Sequence, residues 1–212
     1  MNISIQQAVE TIRQGGCLIF PTETLYAIGS DACQEEAVMR VACLKSRPGG
    51  KPFPVLIGST EQLPLVTSWD DASFLSLTAS FWPGPLSILV PARKEIASLA
   101  KDGNGWTSLR WTDHPVAQRL SLESGCPLIA TSANRSGQPS AFHPSQLDEQ
   151  LCRHADGLLP GPPYPPGGLP STVVAVSGPK ELTIVRHGAV SQEQLEAAGY
   201  RIRPGCPETG EA

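Results

Sequence analysis

Pro127-Leu128-Ile129-Ala130-Thr131-Ser132-Ala133-Asn134-Arg135-Ser136-Gly137 is a stretch that changes character halfway. Its first four residues are apolar and read as a buried strand. The run then stops in hydroxyls, an amide and a glycine. Open α/β sheets bind ligands at the carboxyl ends of their strands, where such groups would be delivered. Ser132 and Asn134 are two apart, so a continuing strand puts them on one side. Ser, Asn and Gly also build turns unaided, and the stretch taken alone favours a turn. The ligand-bearing reading gains weight because the same design recurs along the chain.

Leu18-Ile19-Phe20 runs into Pro21-Thr22-Glu23-Thr24, again an apolar strand ending in hydroxyls, with a proline that stops ladder pairing. Ala37, Val38, Val41 and Leu44 recur at helical spacing, and Pro48 forbids continuation. Lys45 and Arg47 near that helix end suit its dipole. With Gly49, Gly50 and Lys51 following, they also place three cations in a short loop suited to phosphate. Ser108-Leu109-Arg110-Trp111 is a short strand carrying an arginine, and Pro170-Ser171-Thr172-Val173-Val174 brings a hydroxyl pair into a strand.

The 212 residues suffice for one domain with a real core, read as residues 1–199 followed by a polar, loosely ordered tail over 200–212. The 21 prolines and 20 glycines fall short of low complexity and fit many shaped loops. No apolar run approaches a membrane span. The first sixteen residues read as an amphipathic helix, with Ile5, Val9 and Ile12 on one face, and not as a signal peptide; the expected location is the cytoplasm. Six scattered cysteines without a CxxC pair argue against a disulfide or metal framework, and the four histidines lack metal spacing. His114, before Pro115, reads as a helix start.

The spacing predicts helices at 3–14, 34–45, 70–82, 114–124, 144–155 and 191–198. Strands are predicted at 17–21, 53–58, 86–91, 107–111, 127–132, 171–176 and 182–186. This is mixed α/β. The Pro-rich segment from Leu159 to Pro170 reads as a linker or as a flap that prolines keep extended.

In content and order, PTETLYAIG, KSRP with KPFPVLI, FWPGPLSILVPA, SLRWTDHP, ATSANRSGQPS and PSTVVAV resemble the YrdC-type threonylcarbamoyl-AMP synthases, from about Ala8 to Gly188. The resemblance implies a twisted open mixed sheet with flanking helices and a concave ligand cavity, and it favours the flap. It implies an enzyme that joins L-threonine, bicarbonate and ATP into threonylcarbamoyl-AMP and releases pyrophosphate. A partner transferase complex then modifies adenosine 37 of tRNA, so contact with tRNA is indirect. Mg²⁺ is expected to accompany ATP, with no protein-bound metal. Lys45 and Arg47 match the family's KxR, and Ser132 and Asn134 its SxN; all four are expected to be catalytic and to contact ATP. Ser140 and Arg186 match nucleotide-binding positions. Thr24, Arg110, Ser171 and Thr172 match threonine-contacting positions, with the planar Arg110 fork on the carboxylate. Such chemistry needs positioning and charge more than a covalent nucleophile.

The chain departs from the family pattern at several positions. Ala27 replaces the glycine of PTETxYGL, Thr112 stands where VRxP has proline, and Pro54 takes a usually aliphatic place. The residues after Arg186 are too few for the additional domain of the long family form. Two rival readings remain open. An RNA-binding protein of the same fold, or a paralogue without synthase activity, is opposed by a net charge of −4 and by the retained KxR and SxN pairs. A carbamoyl-transferring domain of the hydrogenase-maturation type would bring zinc-finger segments that this sequence lacks.

Overall fold

The stretch from Leu128 to Ser132 is divided between two sheets. A computed structural model describes residues 2–46, 51–135 and 137–204. In chain order the elements are α1 Ile5–Arg13, β1 Leu18–Pro21, β2 Tyr26–Gly29, α2 Glu35–Leu44, β3 Val55–Ile57, α3 Leu63–Val66, α4 Ala72–Phe81, β4 Leu86–Pro91 and β5 Trp106–Trp111. They continue with α5 Pro115–Ser124, β6 Leu128–Ile129, β7 Thr131–Ser132, α6 Glu149–His154, β8 Gly157–Leu158, β9 Thr172–Gly178, β10 Glu181–Arg186, α7 Gln192–Ala197 and β11 Arg201–Arg203.

Among the described residues, four strands form one sheet in the order β7-β2-β1-β8. Seven form another in the order β11-β10-β9-β4-β5-β3-β6. Both sheets mix parallel and antiparallel neighbours: β1–β8, β3–β5, β4–β9 and β10–β11 run parallel. The single strand expected over 127–132 splits at Ala130. Leu128 and Ile129 pair with β3 in the larger sheet, and Thr131 and Ser132 pair with β2 in the smaller. Gly29 permits the crossing, because a Cβ there would lie 1.9 Å from the Ile129 carbonyl oxygen.

Strand alternation supplies two cores. In β1, Ile19 joins one cluster while Leu18 and Phe20 join the other. In β3, Val55 and Ile57 are separated from Leu56 in the same way. Helix α1 contributes Ala8, Val9 and Ile12, and α5 contributes Ala117 and Leu120, to the smaller cluster. The larger cluster takes Val38 and Val41 of α2, Phe74 and Leu77 of α4, and Leu195 of α7. Strands covered on both faces lose their polar alternation and become continuous apolar runs.

Helix ends follow their caps. α1 begins after Ser4, which forms a reciprocal capping box with Gln7. The helix expected over 144–155 is a 3-10 turn at Pro144–Gln146 followed by α6, because Asp148 caps Leu151 N–H at 2.8 Å and restarts the chain. Residues 201–203, read as tail, are a strand: Tyr200 is buried, β11 pairs with β10, and Glu181 takes both Arg201 and Arg203. Three residues of alternating Arg-Ile-Arg are too short a signal to show this. The rest of the expected tail, from 205, lies outside the described residues. No helix of the described residues is long and apolar enough to cross a membrane.

Candidate functional site

Where the two sheets meet, a cavity of about 530 Å³ opens. Its floor comes from β2, β3 and the crossing at Ala130–Ser132. The methyl of Ala27, unexpected from the family pattern, forms part of the wall and packs with the smaller core cluster. Of the residues singled out in the sequence, Thr24, Arg110, Ser132, Ser140, Ser171 and Arg186 line this one cavity. They come from six separate segments, and the fold brings them together.

Lys45 and Asn134 assemble beside Ser132. Helix α2 ends at Lys45, and Ser46, at φ 48°, turns the chain away. The Lys45 side chain is buried, and its ammonium donates to the Ser132 carbonyl oxygen and to Asn134 Oδ1, the latter at 3.4 Å. The Ser132 hydroxyl also donates to Asn134 Oδ1, while Asn134 Nδ2 donates to the Gln138 carbonyl. KxR and SxN thus meet through Lys45, Ser132 and Asn134. Arg47 lies outside the described residues. Lys51, the next cation of that loop, lines the cavity.

A second group closes the opposite wall. Arg186, at the end of β10, donates from Nη2 to the Ser171 carbonyl at 2.7 Å and to the Ser171 hydroxyl at 3.0 Å. The hydroxyls of Ser171 and Ser87 lie 3.0 Å apart. Burial, with the Arg110 charge as a second cause, pulls the Arg186 guanidinium below its ordinary value. Arg110 is ion-paired to Glu23, and both side chains are almost completely buried. Thr172 does not join the cavity. Its hydroxyl donates to the Val190 carbonyl at 2.6 Å and accepts from Val190 N–H at 3.0 Å, so it is a strand fastening. Ser171, just ahead of β9, faces the cavity, and Thr172, its first residue, faces away from it.

Sequence reasoning passed over Thr22, Ser87 and Glu23. The Thr22 and Thr24 hydroxyls lie 3.3 Å apart and both residues line the cavity. Ser87 is a lone polar residue in an apolar strand run, and that was its signal. Cys17 and Cys126 are unsuited to nucleophilic work: burial pushes their thiols up to about 11 and about 12. Among the described residues no group of three or more His, Cys, Asp or Glu side chains could hold a metal ion.

The Pro-rich segment is a wall of the cavity. Gly168 and Pro170 line it. Tyr26 Oη donates to the Pro160 carbonyl at 3.0 Å, His114 Nε2 lies 3.0 Å from the Pro163 carbonyl, and Gly167 N–H donates to the Thr24 carbonyl at 3.1 Å. His114 is also the N-cap of α5, its Nδ1 accepting from Val116 N–H at 3.3 Å.

Known proteins share this fold. Residues 10–188 match the Sua5–YciO–YrdC family model, described as telomere recombination. A Bacillus subtilis protein named threonylcarbamoyl-AMP synthase is 33% identical over 194 residues, covering 91% of this chain and 56% of its own length. One of the same name from Stutzerimonas stutzeri is 34% identical over 157 residues, covering 74% of this chain and 84% of its own length. The structure of P. abyssi Sua5 complexed with L-threonine superposes with a TM-score of 0.83 at 30% identity, over 94% of this chain and 59% of that one. The chain thus spans little more than half the length of some relatives and most of the length of others. A family model over residues 10–188 and relatives at 33–34% identity across most of the sequence establish the membership: the chain belongs to the Sua5–YciO–YrdC family.

Proposed function

We propose that this chain is an L-threonylcarbamoyladenylate synthase, a nucleotidyltransferase acting on L-threonine, bicarbonate and ATP. The observation that carries the reading is the convergence of Arg110, Arg186 and Lys51 with the Thr22, Thr24, Ser132 and Ser171 hydroxyls on a single cavity. Cations and hydroxyls without an activated nucleophile suit a reaction run by positioning and charge.

In this reading the threonine amine attacks the carbon of bicarbonate and water leaves, giving an N-carboxylate. A carboxylate oxygen of that carbamate then attacks the α-phosphorus of ATP, and the bond to the β-phosphate oxygen breaks with loss of pyrophosphate. Arg110 and the hydroxyls of Thr24 and Ser171 hold the amino acid. Lys45, Ser132, Asn134, Ser140 and Arg186 serve the nucleotide, with Arg47 as the proposed sixth partner, on the phosphates. Mg²⁺ enters with ATP and neutralises phosphate charge. The Pro-rich wall excludes water from the unstable carbamate. Residues 1–199 with β11 are the catalytic unit. The adenylate passes to a tRNA-modifying transferase complex in the cytoplasm. The relatives' names, and the L-threonine bound to P. abyssi Sua5, support this assignment.

The test is incubation with ATP, L-threonine and bicarbonate, with release of pyrophosphate and the adenylate mass as readouts. Pyrophosphate release that needs both threonine and bicarbonate is the expected result; release indifferent to either co-substrate sinks the assignment.

A further inference from the structure

Glu23 does not line the cavity, yet it holds a residue that does. Its carboxylate is ion-paired to Arg110 Nη1, and its other oxygen accepts the Thr112 hydroxyl proton. The same Thr112 oxygen accepts from His114 N–H at 3.1 Å. Thr112 is fully buried, and its backbone N–H donates to the Ile57 carbonyl at 3.3 Å. A continuous chain of polar contacts therefore runs from the first turn of α5 through Thr112 and Glu23 to the Arg110 guanidinium. Each member is buried, where such contacts are strong and an unpaired one is costly.

The guanidinium is planar, so fixing one edge fixes the direction of its remaining N–H donors. Charge adds a second effect. Arg110 and Arg186 face the same cavity, and the Arg110 charge adds to the larger effect of burial in lowering the Arg186 pKa. The Glu23 carboxylate behind the wall offsets one of these two charges, so the site keeps a net positive charge for a single incoming carboxylate. Glu23 has both oxygens engaged and stands outside the wall, so it acts through Arg110 and not on substrate.

Resting on the synthase reading, we propose that Glu23 is a positioning residue for recognition of the amino-acid carboxylate. It aims Arg110, and Thr112 in turn aims Glu23.

The experiment compares wild type, E23Q, T112V and T112S. L-threonine and ATP affinities are measured separately by calorimetric titration, and kcat and the KM for threonine at saturating ATP. A hydrogen bond to a charged group contributes about 1.5–3 kcal/mol, so E23Q should weaken threonine binding by roughly tenfold or more. ATP affinity should stay within about twofold. T112V, which keeps shape and loses the hydroxyl, should raise the KM for threonine with a smaller change in kcat, and T112S should recover most of that loss. If E23Q fails to fold, the Thr112 pair still decides the matter. Wild-type threonine affinity in T112V, or equal losses for threonine and ATP, overturns the positioning role and leaves the synthase reading intact. Failure of the wild type itself to bind L-threonine overturns that reading and the role built on it.

Discussion

Lys45 is buried against the Ser132 carbonyl and Asn134. A largely desolvated ammonium attracts an anion that reaches it more strongly than one in water does. Lys45→Ala should keep the fold and reduce ATP-dependent turnover by at least about 30-fold, the kinetic equivalent of roughly 2 kcal/mol. Turnover within threefold of wild type, on a folded variant, removes Lys45 from the nucleotide site. The hydroxyls of Thr24 and Ser171 carry a second expectation. A site that hydrogen-bonds a substrate hydroxyl rejects the analogue lacking it more strongly than one lacking a methyl. Serine gives up a methyl, about 0.8 kcal/mol of burial, whereas valine leaves buried polar groups unpaired. Adenylate formation at matched concentrations should follow threonine, then serine, then valine. Valine ahead of serine would mean that the cavity reads shape.

The start of α5 joins a helix to a wall of the site through one imidazole. With its proton on Nε2, neutral His114 accepts from Val116 N–H and donates to the Pro163 carbonyl. Burial lowers its pKa below the ordinary 6.5, against the opposing pull of the Pro163 carbonyl, Glu23 and Asp113. A folded-state pKa below the unfolded one means that the unfolded chain takes up the proton first. Stability is therefore full above about pH 6.5 and is lost as pH falls from there through the lowered folded value. His114→Asn keeps a capping oxygen without the titration. Wild type should lose more Tm than this variant between pH 7 and pH 5, and Gly167 amide exchange should quicken in parallel. Equal losses in the two proteins would release His114 from that duty. Position 114 was legible as a helix start, since Pro follows it at N1. Its hold on Pro163 was not, because contacts 49 residues apart leave no local trace. Elements with strong periodicity or clear caps, such as α1, α5 and β4, were readable to within two residues. β2 was missed because Tyr26-Ala-Ile-Gly is buried at every position and shows no alternation. At the site, Ser132 and Arg110 were readable from strand ends, whereas Glu23 became visible only once β5 was placed behind it.

The two sheets are joined by a close approach that one side chain would prevent. A methyl on Gly29 would meet the Ile129 carbonyl, which cannot withdraw without dragging β6 off β3. Gly29→Ala should cost about 2 kcal/mol, a fall in Tm of roughly 4–8 °C. An unchanged Tm would show that the seam yields easily. The crossing at Ala130 also bears on how the molecule comes apart. Two residues either side of Ala130 belong to different sheets, so neither sheet has an edge at which the other can be shed. Peeling β7 from β2 pulls on β6, and through β3 on the whole larger sheet. Denaturation should accordingly be a single cooperative transition, although the strands are shared between two sheets. The tryptophans give a one-sided view of it. Trp106 and Trp111 lie on β5, Trp82 donates to the β4 carbonyl of Leu86, and Trp69 stacks edge-on against Trp106. Their fluorescence reports the larger sheet, whereas far-ultraviolet dichroism reports both. Coincident urea midpoints from the two signals are expected, and an earlier dichroism midpoint would mark the smaller sheet as a separate unit. With the midpoints coincident, neither sheet wall of the cavity loosens while the other stays folded.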